Sequence, residues 1–175
     1  NDIWGVGEIY LSDSLGNPDP KIYNAIHWDG NKWDVMRIQA VFRGNIVTPP
    51  LEGIFAFSET DIWMVGSLPV HGDGNNWNIY DIRTTVDPNL SVSKTWGNSS
   101  NNIFFVGMMG SIAHYQNGSW TKIESGTTSI INDAWGFLNE QNKTIIYCPV
   151  ASFFTVNDKK ILKIKSNEFL NNLLI

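Results

Sequence analysis

Cross-links and charged groups are scarce in this 175-residue sequence. It has one cysteine, Cys148, and 17% charged residues, with a formal net charge of −5. A single cysteine excludes an internal disulfide, and its apolar neighbours predict a buried, inert thiol. The 12 Lys and Arg residues are scattered, so the sequence predicts no nucleic-acid partner. No apolar run approaches about 18 residues, which predicts that no segment spans a membrane.

What the sequence does contain is short runs of β-branched and aromatic residues that are interrupted by Gly and Asn. The segment 101–126 shows this most clearly, because its apolar residues alternate with polar ones and each run ends at a turn sequence. Such alternation is typical of antiparallel strands joined by tight turns. The predicted strands of this segment are Ile103–Val106, Ser111–Tyr115 and Trp120–Ile123.

The same pattern recurs along the chain. A histidine stands six positions before a tryptophan three times, and the three tryptophans are 44 and 43 residues apart; the pairs are His27 with Trp33, His71 with Trp77, and His114 with Trp120. A second motif, an acid or amide followed by Ile, an aromatic residue and, further on, Val-Gly, begins at Asp2, Asp61 and Asn102. A third is Trp96-Gly97, matched by Trp135-Gly136 and Phe55-Ala56.

A four-stranded repeat of about 40–45 residues is the period of a β-propeller blade. The sequence therefore predicts an all-β propeller segment over residues 1–175, with four-stranded antiparallel blades at about 1–48, 49–90, 91–129 and 130–175. We expect these blades to belong to a larger ring of six to eight; a closed four-bladed ring is the alternative. Because the chain opens inside the repeat, at Asp2-Ile3-Trp4, we expect it to be a portion of a longer protein.

The fourth repeat is degenerate. An offset of 42 from the third repeat puts Pro149, Val156 and Leu162 at the places of Gly107, His114 and Trp120. Its predicted strands after the inner one are Thr144–Tyr147, Ser152–Val156 and Ile161–Lys165. The C-terminal Phe169–Ile175 is predicted to approach the next inner strand. The connection 39–50 is predicted to hold an extra strand pair about Arg43-Gly44-Asn45.

The repeat resembles bacterial exported propeller repeats, which are distant relatives of the Asp-box (BNR) and photosystem-assembly-factor-like propellers. The resemblance rests on Trp96-Gly97, on 101–107 (Asn-Asn-Ile-Phe-Phe-Val-Gly) and on 117–120 (Asn-Gly-Ser-Trp). The turns at Asp29-Gly30 and Asp73-Gly74 match the second half of an Asp-box. The resemblance implies a propeller fold and an exported or cell-surface location, and it says little about activity because propellers host many functions.

The histidines and tryptophans occupy repeat positions. If each blade carries its histidine at the same place, the three cannot converge on one metal ion, and a structural hydrogen bond is predicted for each. All eight tryptophans fall in shared registers, which predicts packing within and between blades. A platform for stacking sugars is the functional alternative.

The sequence contains few groups of residues that could form a catalytic site. Arg37, Arg43 and Arg83 do not share a register, so an arginine cluster like that of sialidases is an alternative. Carboxylates near the inner strands are few, however; they are Glu52, Glu59 and Asp133. The insert with Asp13, Asn17 and Asp19 offers oxygen ligands for calcium, and a solvated turn is the alternative. We assign no catalytic, cofactor-binding or metal-binding residue and expect no cofactor.

The function predicted from the sequence is that of a non-catalytic binding or scaffold module. Its ligand would be a protein or a glycan, held by loops at one face of the ring. The alternative is a glycoside hydrolase or lyase of the sialidase-like propeller kind, with its site in the central funnel. Convergent carboxylates and arginines would favour the enzyme, and apolar and amide side chains would favour the scaffold.

Overall fold

The protein is an all-β propeller, and its computed structural model describes residues 2–152, 159–165 and 168–173. The described residues form four antiparallel sheets, which follow one another along the chain and correspond to the four predicted repeats. The sheets of blades two and three have apolar side chains on both faces because each packs between two neighbours. The blade boundaries remain predictions.

Blade one has three strands that pair in chain order. A long insert, residues 10–22, separates the first two, and the Asp29-Gly30 turn joins the last two. Among the described residues the first strand pairs with the second strand alone, and no inner strand of this sheet lies among them. The strands are β1 (Ile3–Ile9), β2 (Tyr23–Trp28) and β3 (Trp33–Met36).

The predicted strand pair in the connection that follows is confirmed. Strands β4 (Ala40–Phe42) and β5 (Asn45–Val47) form a hairpin. Arg43 and Gly44 have φ values of 50° and 77°. Two consecutive residues with positive φ are the mark of a tight turn that suits the twist of a hairpin.

Blade two contains the four predicted strands: β6 (Gly53–Ser58), β7 (Asp61–Gly66), β8 (Leu68–Gly72) and β9 (Trp77–Ile79). The β4–β5 hairpin extends this sheet at its outer edge, where Val41 pairs in parallel with Asn78. The sequence pattern predicts a last strand over 77–82, but the strand ends at Ile79. Ile82 instead begins a short helix, α1 (Ile82–Thr85), and it is the one buried residue of that helix.

Blade three agrees with the prediction to within one or two residues at each strand end. Its four strands pair in chain order, from the inner strand to the outer one. They are β10 (Val92–Ser99), β11 (Asn102–Gly107), β12 (Ile112–Gln116) and β13 (Ser119–Lys122).

Blade four departs from the prediction. Its strands are β14 (Ile130–Ile131), β15 (Trp135–Leu138), β16 (Thr144–Ala151), β17 (Lys160–Lys165) and β18 (Glu168–Leu173). The segment 161–165, predicted as the outer strand, lies in β17 and pairs directly with β16, and β18 pairs with β17 as the outer strand. For the described residues 169–173, the predicted approach to the next inner strand is therefore wrong. Most of the predicted strand Ser152–Val156 lies outside the described residues.

The error in blade four has an identifiable cause. Gly136 pairs with Ile146 as Gly97 pairs with Ile103, so the second strand is offset by 43 residues, not 42. The third strand is displaced further, because Ile146 pairs with Ile164 as Ile103 pairs with Tyr115, an offset of 49 residues (115 to 164). The second strand runs on to Ala151, and the third begins only at Lys160.

Three apolar clusters lie between successive blades and form the core. Ile62, Met64 and Trp77 of blade two pack against Ala25 and the ring of Trp4 in blade one. The next two clusters repeat this arrangement one blade further along; they centre on Trp63, Val65, Ile103 and Phe105, and on Phe104, Val106, Ile146 and Cys148. Burial of aliphatic and aromatic side chains on both faces of each inner sheet is the main source of stability in such a stack.

The tryptophans show which faces are covered. Trp77 is 4% exposed against blade one and Trp120 packs against Trp63 of blade two, but Trp33, in the same register, is 51% exposed. The prediction that all eight tryptophans are packed is therefore wrong for Trp33 and for Trp135, which is 63% exposed. Both lie on faces of the first and fourth sheets that no described blade covers.

Candidate functional site

Each of the three histidines takes part in the same local structure. His27, His71 and His114 stand opposite the aromatic residue of the neighbouring strand, and their rings stack on it with centroids 4.0–4.2 Å apart. Each Nε2 also bonds to the acid or amide that begins that strand; the partners are Asp2, Asp61 and Asn102. The predicted structural hydrogen bond is thus present in all three blades.

Blade four keeps the stack with other residues. Lys163 pairs with Tyr147 across the strands, and its ammonium lies 5.2 Å from the centre of the tyrosine ring. This is a cation–π contact in place of the histidine stack. Lys163 is therefore the structural counterpart of His114. The offset of 42 residues predicts Val156 at that place, and Val156 lies outside the described residues.

Burial lowers the pKa of His114 to about 4. The folded protein then holds this ring neutral while the unfolded chain takes up a proton below pH 6.5. The free energy of unfolding should therefore fall by about 3 kcal/mol between pH 6.5 and pH 4. We expect this slope in urea titrations at several pH values. His114→Gln, which cannot take up a proton, should flatten it over that window; an unchanged slope would contradict the assignment.

The other predicted ligand residues are also held by local contacts. The Asp13 carboxylate accepts bonds from the backbone N–H groups of Leu15 and Asn17 and from the Asn17 amide, so it closes a turn. No group of three or more His, Cys, Asp or Glu side chains in the described part of the chain is arranged to share a metal ion. Burial raises the pKa of Cys148 to about 12, which agrees with an unreactive thiol.

The three arginines do not meet. Arg43 donates from Nε to Asp81 at 2.6 Å, and Arg83 donates from Nε to the carbonyl of Leu90 at 3.0 Å. Arg37 alone of the three lines the cleft described next. Of the candidate carboxylates, Glu52 lines the same cleft as Arg37, Glu59 lines another cavity, and Asp133 accepts a bond from the N–H of Ala134.

A cleft of about 810 Å³ lies between blades one and two, and we call it the inter-blade cleft. Its apolar walls come from three places: β1, the end of the insert, and the connection before β6. Lys21 and Arg37 add positive charge, and neither has an ion-pair partner among the residues that the structure describes. Its lining is Val6–Glu8, Pro20–Ile22, Asn24, Arg37, Thr48–Glu52 and Lys94.

Asn24 holds the wall of the cleft in place. Its buried side chain accepts a bond from the N–H of Ile38 at 2.7 Å and donates to the carbonyls of Ile38 and Pro49 at 3.0 and 2.8 Å. These bonds tie the 38–49 connection to β2. Sequence reasoning missed this residue because nothing in the repeat pattern marks it.

Replacing Asn24 with Leu leaves those three backbone groups without partners. We expect the free energy of unfolding to fall by about 2 kcal/mol and the amides of 38–49 to exchange faster. Asn45→Ala is the control, because the Asn45 side chain is exposed and makes one long bond to the Arg43 carbonyl. Hydrogen exchange with mass spectrometry checks the effect, and equal exchange in both variants would contradict it.

Comparison with known proteins gives a similarity of fold. No known family matches the chain, and no curated protein matches it. It is similar to a solved structure described as YCF48 bound to D1 peptide, with a TM-score of 0.45 and 11% sequence identity. The match covers 93% of this chain and 60% of that one. No helix in the described part of the chain is long and apolar enough to cross a membrane.

Proposed function

We propose that this propeller segment is a non-catalytic module that binds a protein ligand in the inter-blade cleft. The observation that carries the proposal is the pair of unpaired cations, Lys21 and Arg37, at the margin of a cleft with both apolar and polar walls. Ligand sites combine apolar walls with a few polar groups that fix orientation. A cleft bordered by Val6, Leu51 and prolines suits an extended peptide segment with apolar side chains and one acidic group.

Binding rather than catalysis is favoured because two of the three arginines are engaged outside the cleft: Arg43 bonds to Asp81, and Arg83 bonds to the Leu90 carbonyl. Within the cleft, the Glu8 carboxylate accepts a bond from the Tyr10 hydroxyl. A second cleft, of about 460 Å³, lies beside blade three, but Lys122 at its rim is already paired with Asp87 and Glu124. The inter-blade cleft is therefore the better candidate for recognition of a charged ligand.

The proposal is tested by selection from a library of linear peptides displayed on phage. Enriched peptides should carry an acidic residue and should bind the purified chain. The double variant Lys21→Ala, Arg37→Ala should lose at least tenfold in affinity, while Lys143→Ala, at an exposed lysine of blade four, should bind normally. Peptides that bind both variants equally would contradict binding in the cleft. If the chain bound only to a glycan array, its ligand would be a glycan and not a protein.

We further propose that the chain acts outside the cytoplasm as a distant relative of the Asp-box propellers. The two Asp-Gly turns support the relationship, because the carboxylates of Asp29 and Asp73 each accept bonds from the N–H groups two and three residues later. Those bonds lower the pKa of Asp73 to about 2. Antibody labelling of intact cells tests the location, and signal that appears only after lysis would contradict it.

A further inference from the structure

We propose that a cleft beside blade three binds a neutral carbohydrate. The cleft has a volume of about 460 Å³, which is within the range of ligand sites in proteins, and we call it the blade-three cleft. Three features carry the inference: walls that are tied together, charges that balance one another beside several hydroxyl groups, and an exposed methionine with a left-handed backbone. The site and its ligand differ from those of the proposed function, and neither depends on it.

Three loops form the walls of the blade-three cleft. The first, 87–90, precedes the inner strand of blade three, and the second, 109–111, joins β11 to β12. The third, 122–128, begins at the end of β13 and leads into blade four, which adds Lys160. The cleft therefore lies beside blade three, where its connections to blades two and four run.

Hydrogen bonds tie the second loop to the chain on both sides of it. The N–H of Met108 donates to the carbonyl of Ser91 at 2.9 Å, and the N–H of Gly110 donates to the carbonyl of Ser129 at 2.8 Å. The second and third loops approach so closely that a Cβ at Gly110 would lie 1.9 Å from the carbonyl oxygen of Thr127. The walls are therefore formed before a ligand arrives, and binding orders few additional groups.

The first loop is held by the short helix before it and by its own bonds. Arg83 donates from Nε to the carbonyl of Leu90 at 3.0 Å, which ties the end of the loop to α1. The N–H of Asn89 donates to the Asp87 carboxylate at 2.8 Å, and the N–H of Leu90 donates to the Asp87 carbonyl at 3.2 Å. These bonds fix the position of Asp87 in the wall of the cleft.

The charged groups of the cleft balance one another. The Lys122 ammonium lies 3.0 Å from an oxygen of Asp87 and 2.8 Å from an oxygen of Glu124. Lys160 adds a second positive charge, so the lining contains two carboxylates and two ammonium groups. A charged ligand would have to compete with Lys122 or with its two partners for an existing ion pair. The cleft therefore favours an uncharged ligand.

Hydroxyl and amide groups supply the other polar side chains of the lining; they are Asn89, Ser111, Ser125, Thr127 and Thr128. The Ser111 hydroxyl accepts a bond from the N–H of Ser91 at 3.0 Å, and the Thr127 hydroxyl accepts one from the N–H of Ser129 at 3.1 Å. Because a hydroxyl has one proton besides its acceptor lone pairs, each of these two can still donate to a ligand. Sugar hydroxyls both donate and accept, so this lining is complementary to them.

Met109 gives the cleft an exposed apolar surface. Its backbone is left-handed, with φ 52° and ψ 35°, and the residue is 66% exposed. Glycine adopts this conformation without strain, so the surrounding bonds hold a methionine here against its own preference. Strained residues of this kind are frequent at ligand sites. A thioether side chain adapts to irregular surfaces, and here it would cover the C–H face of a sugar ring.

The test probes the purified chain with an array of neutral and acidic oligosaccharides, and calorimetry then measures the affinity for the neutral one that binds best. Met109→Gly keeps the left-handed turn, so this variant should fold normally and bind roughly fivefold more weakly. Asp87→Asn removes one of the balancing charges and should weaken binding about tenfold. Met108→Ala is the matched control, because Met108 is also exposed but lies outside the lining of the cleft, and this variant should bind normally.

Three results would overturn the carbohydrate site: binding to no neutral oligosaccharide, binding to acidic oligosaccharides alone, or binding that neither Met109→Gly nor Asp87→Asn weakens. The double variant Lys21→Ala, Arg37→Ala should bind the sugar as the unaltered chain does. If that variant lost the sugar, the sugar would lie in the inter-blade cleft and the blade-three cleft would be excluded. A chain that binds the sugar in the blade-three cleft but no library peptide would keep this site and remove only the proposed function.

Discussion

Replacing Gly66 with Ala is expected to lower the free energy of unfolding by about 4 kcal/mol. The methyl group would lie 1.9 Å from the carbonyl oxygen of Pro50 and 2.6 Å from its carbonyl carbon. Both are backbone atoms, and the N–H of Glu52 in the same connection donates to the carbonyl of Val65 at 2.7 Å. The connection can move away only if that bond and the adjoining inner strand also shift.

Gly7→Ala is the matched control for Gly66→Ala. Gly7 has the same repeat position in β1 as Gly66 has in β7, but no atom lies within 4 Å of its added Cβ. Alanine restricts the unfolded chain more than glycine does, so this variant should be unchanged or more stable by about 0.5 kcal/mol. Urea unfolding of both variants gives the comparison, and equal destabilisation of the two would contradict the difference between their surroundings.

Trp63→Ala is expected to have an effect of similar size, about 4 kcal/mol. The Trp63 ring is 1% exposed, stacks on His71 with centroids 4.2 Å apart, and contacts Phe105 and Trp120 of blade three. Its loss leaves a cavity in the cluster between blades two and three. Blade two should therefore separate from blade three at lower denaturant concentration.

Trp33→Ala is the control for that loss. Trp33 is half exposed, and its ring contact is with Trp28 of its own blade, at 5.5 Å. Removal of an exposed ring creates no internal cavity, so we expect a change below about 1 kcal/mol. Both variants remove one indole, and tryptophan fluorescence in urea measures both. A larger effect for Trp33 would mean that its face is covered in solution.

The sequence was sufficient for the fold wherever the repeat is regular. The strands of blade three could be predicted from the alternation of apolar and polar residues and from the turn residues alone. The repeat position that His71 and His114 share predicted the hydrogen bond that each makes. Blade four was misread because its second strand continues through Pro149 to Ala151. Without a glycine to end that strand, the sequence did not show that the third strand begins only at Lys160.

The candidate site was much less predictable. Lys21, Arg37 and Asn24 have no repeat partners, and they meet only because the insert and the 38–49 connection fold over one side of blade one. The exposure of the tryptophans could not be predicted from the sequence either. Trp33 and Trp77 have the same sequence context, and only the presence or absence of a covering sheet distinguishes them.

The central claim is that successive blades stack face to face in one register, and nuclear Overhauser effects between blades test it most directly. The account predicts contacts between the rings of Trp4 and Trp77, between those of Trp63 and Phe105, and between the Trp96 ring and the Hα protons of Gly136. The Gly136 protons should also be shifted upfield by the indole. If all three contacts were missing while the strands within each blade still paired, stacking in this register would be contradicted.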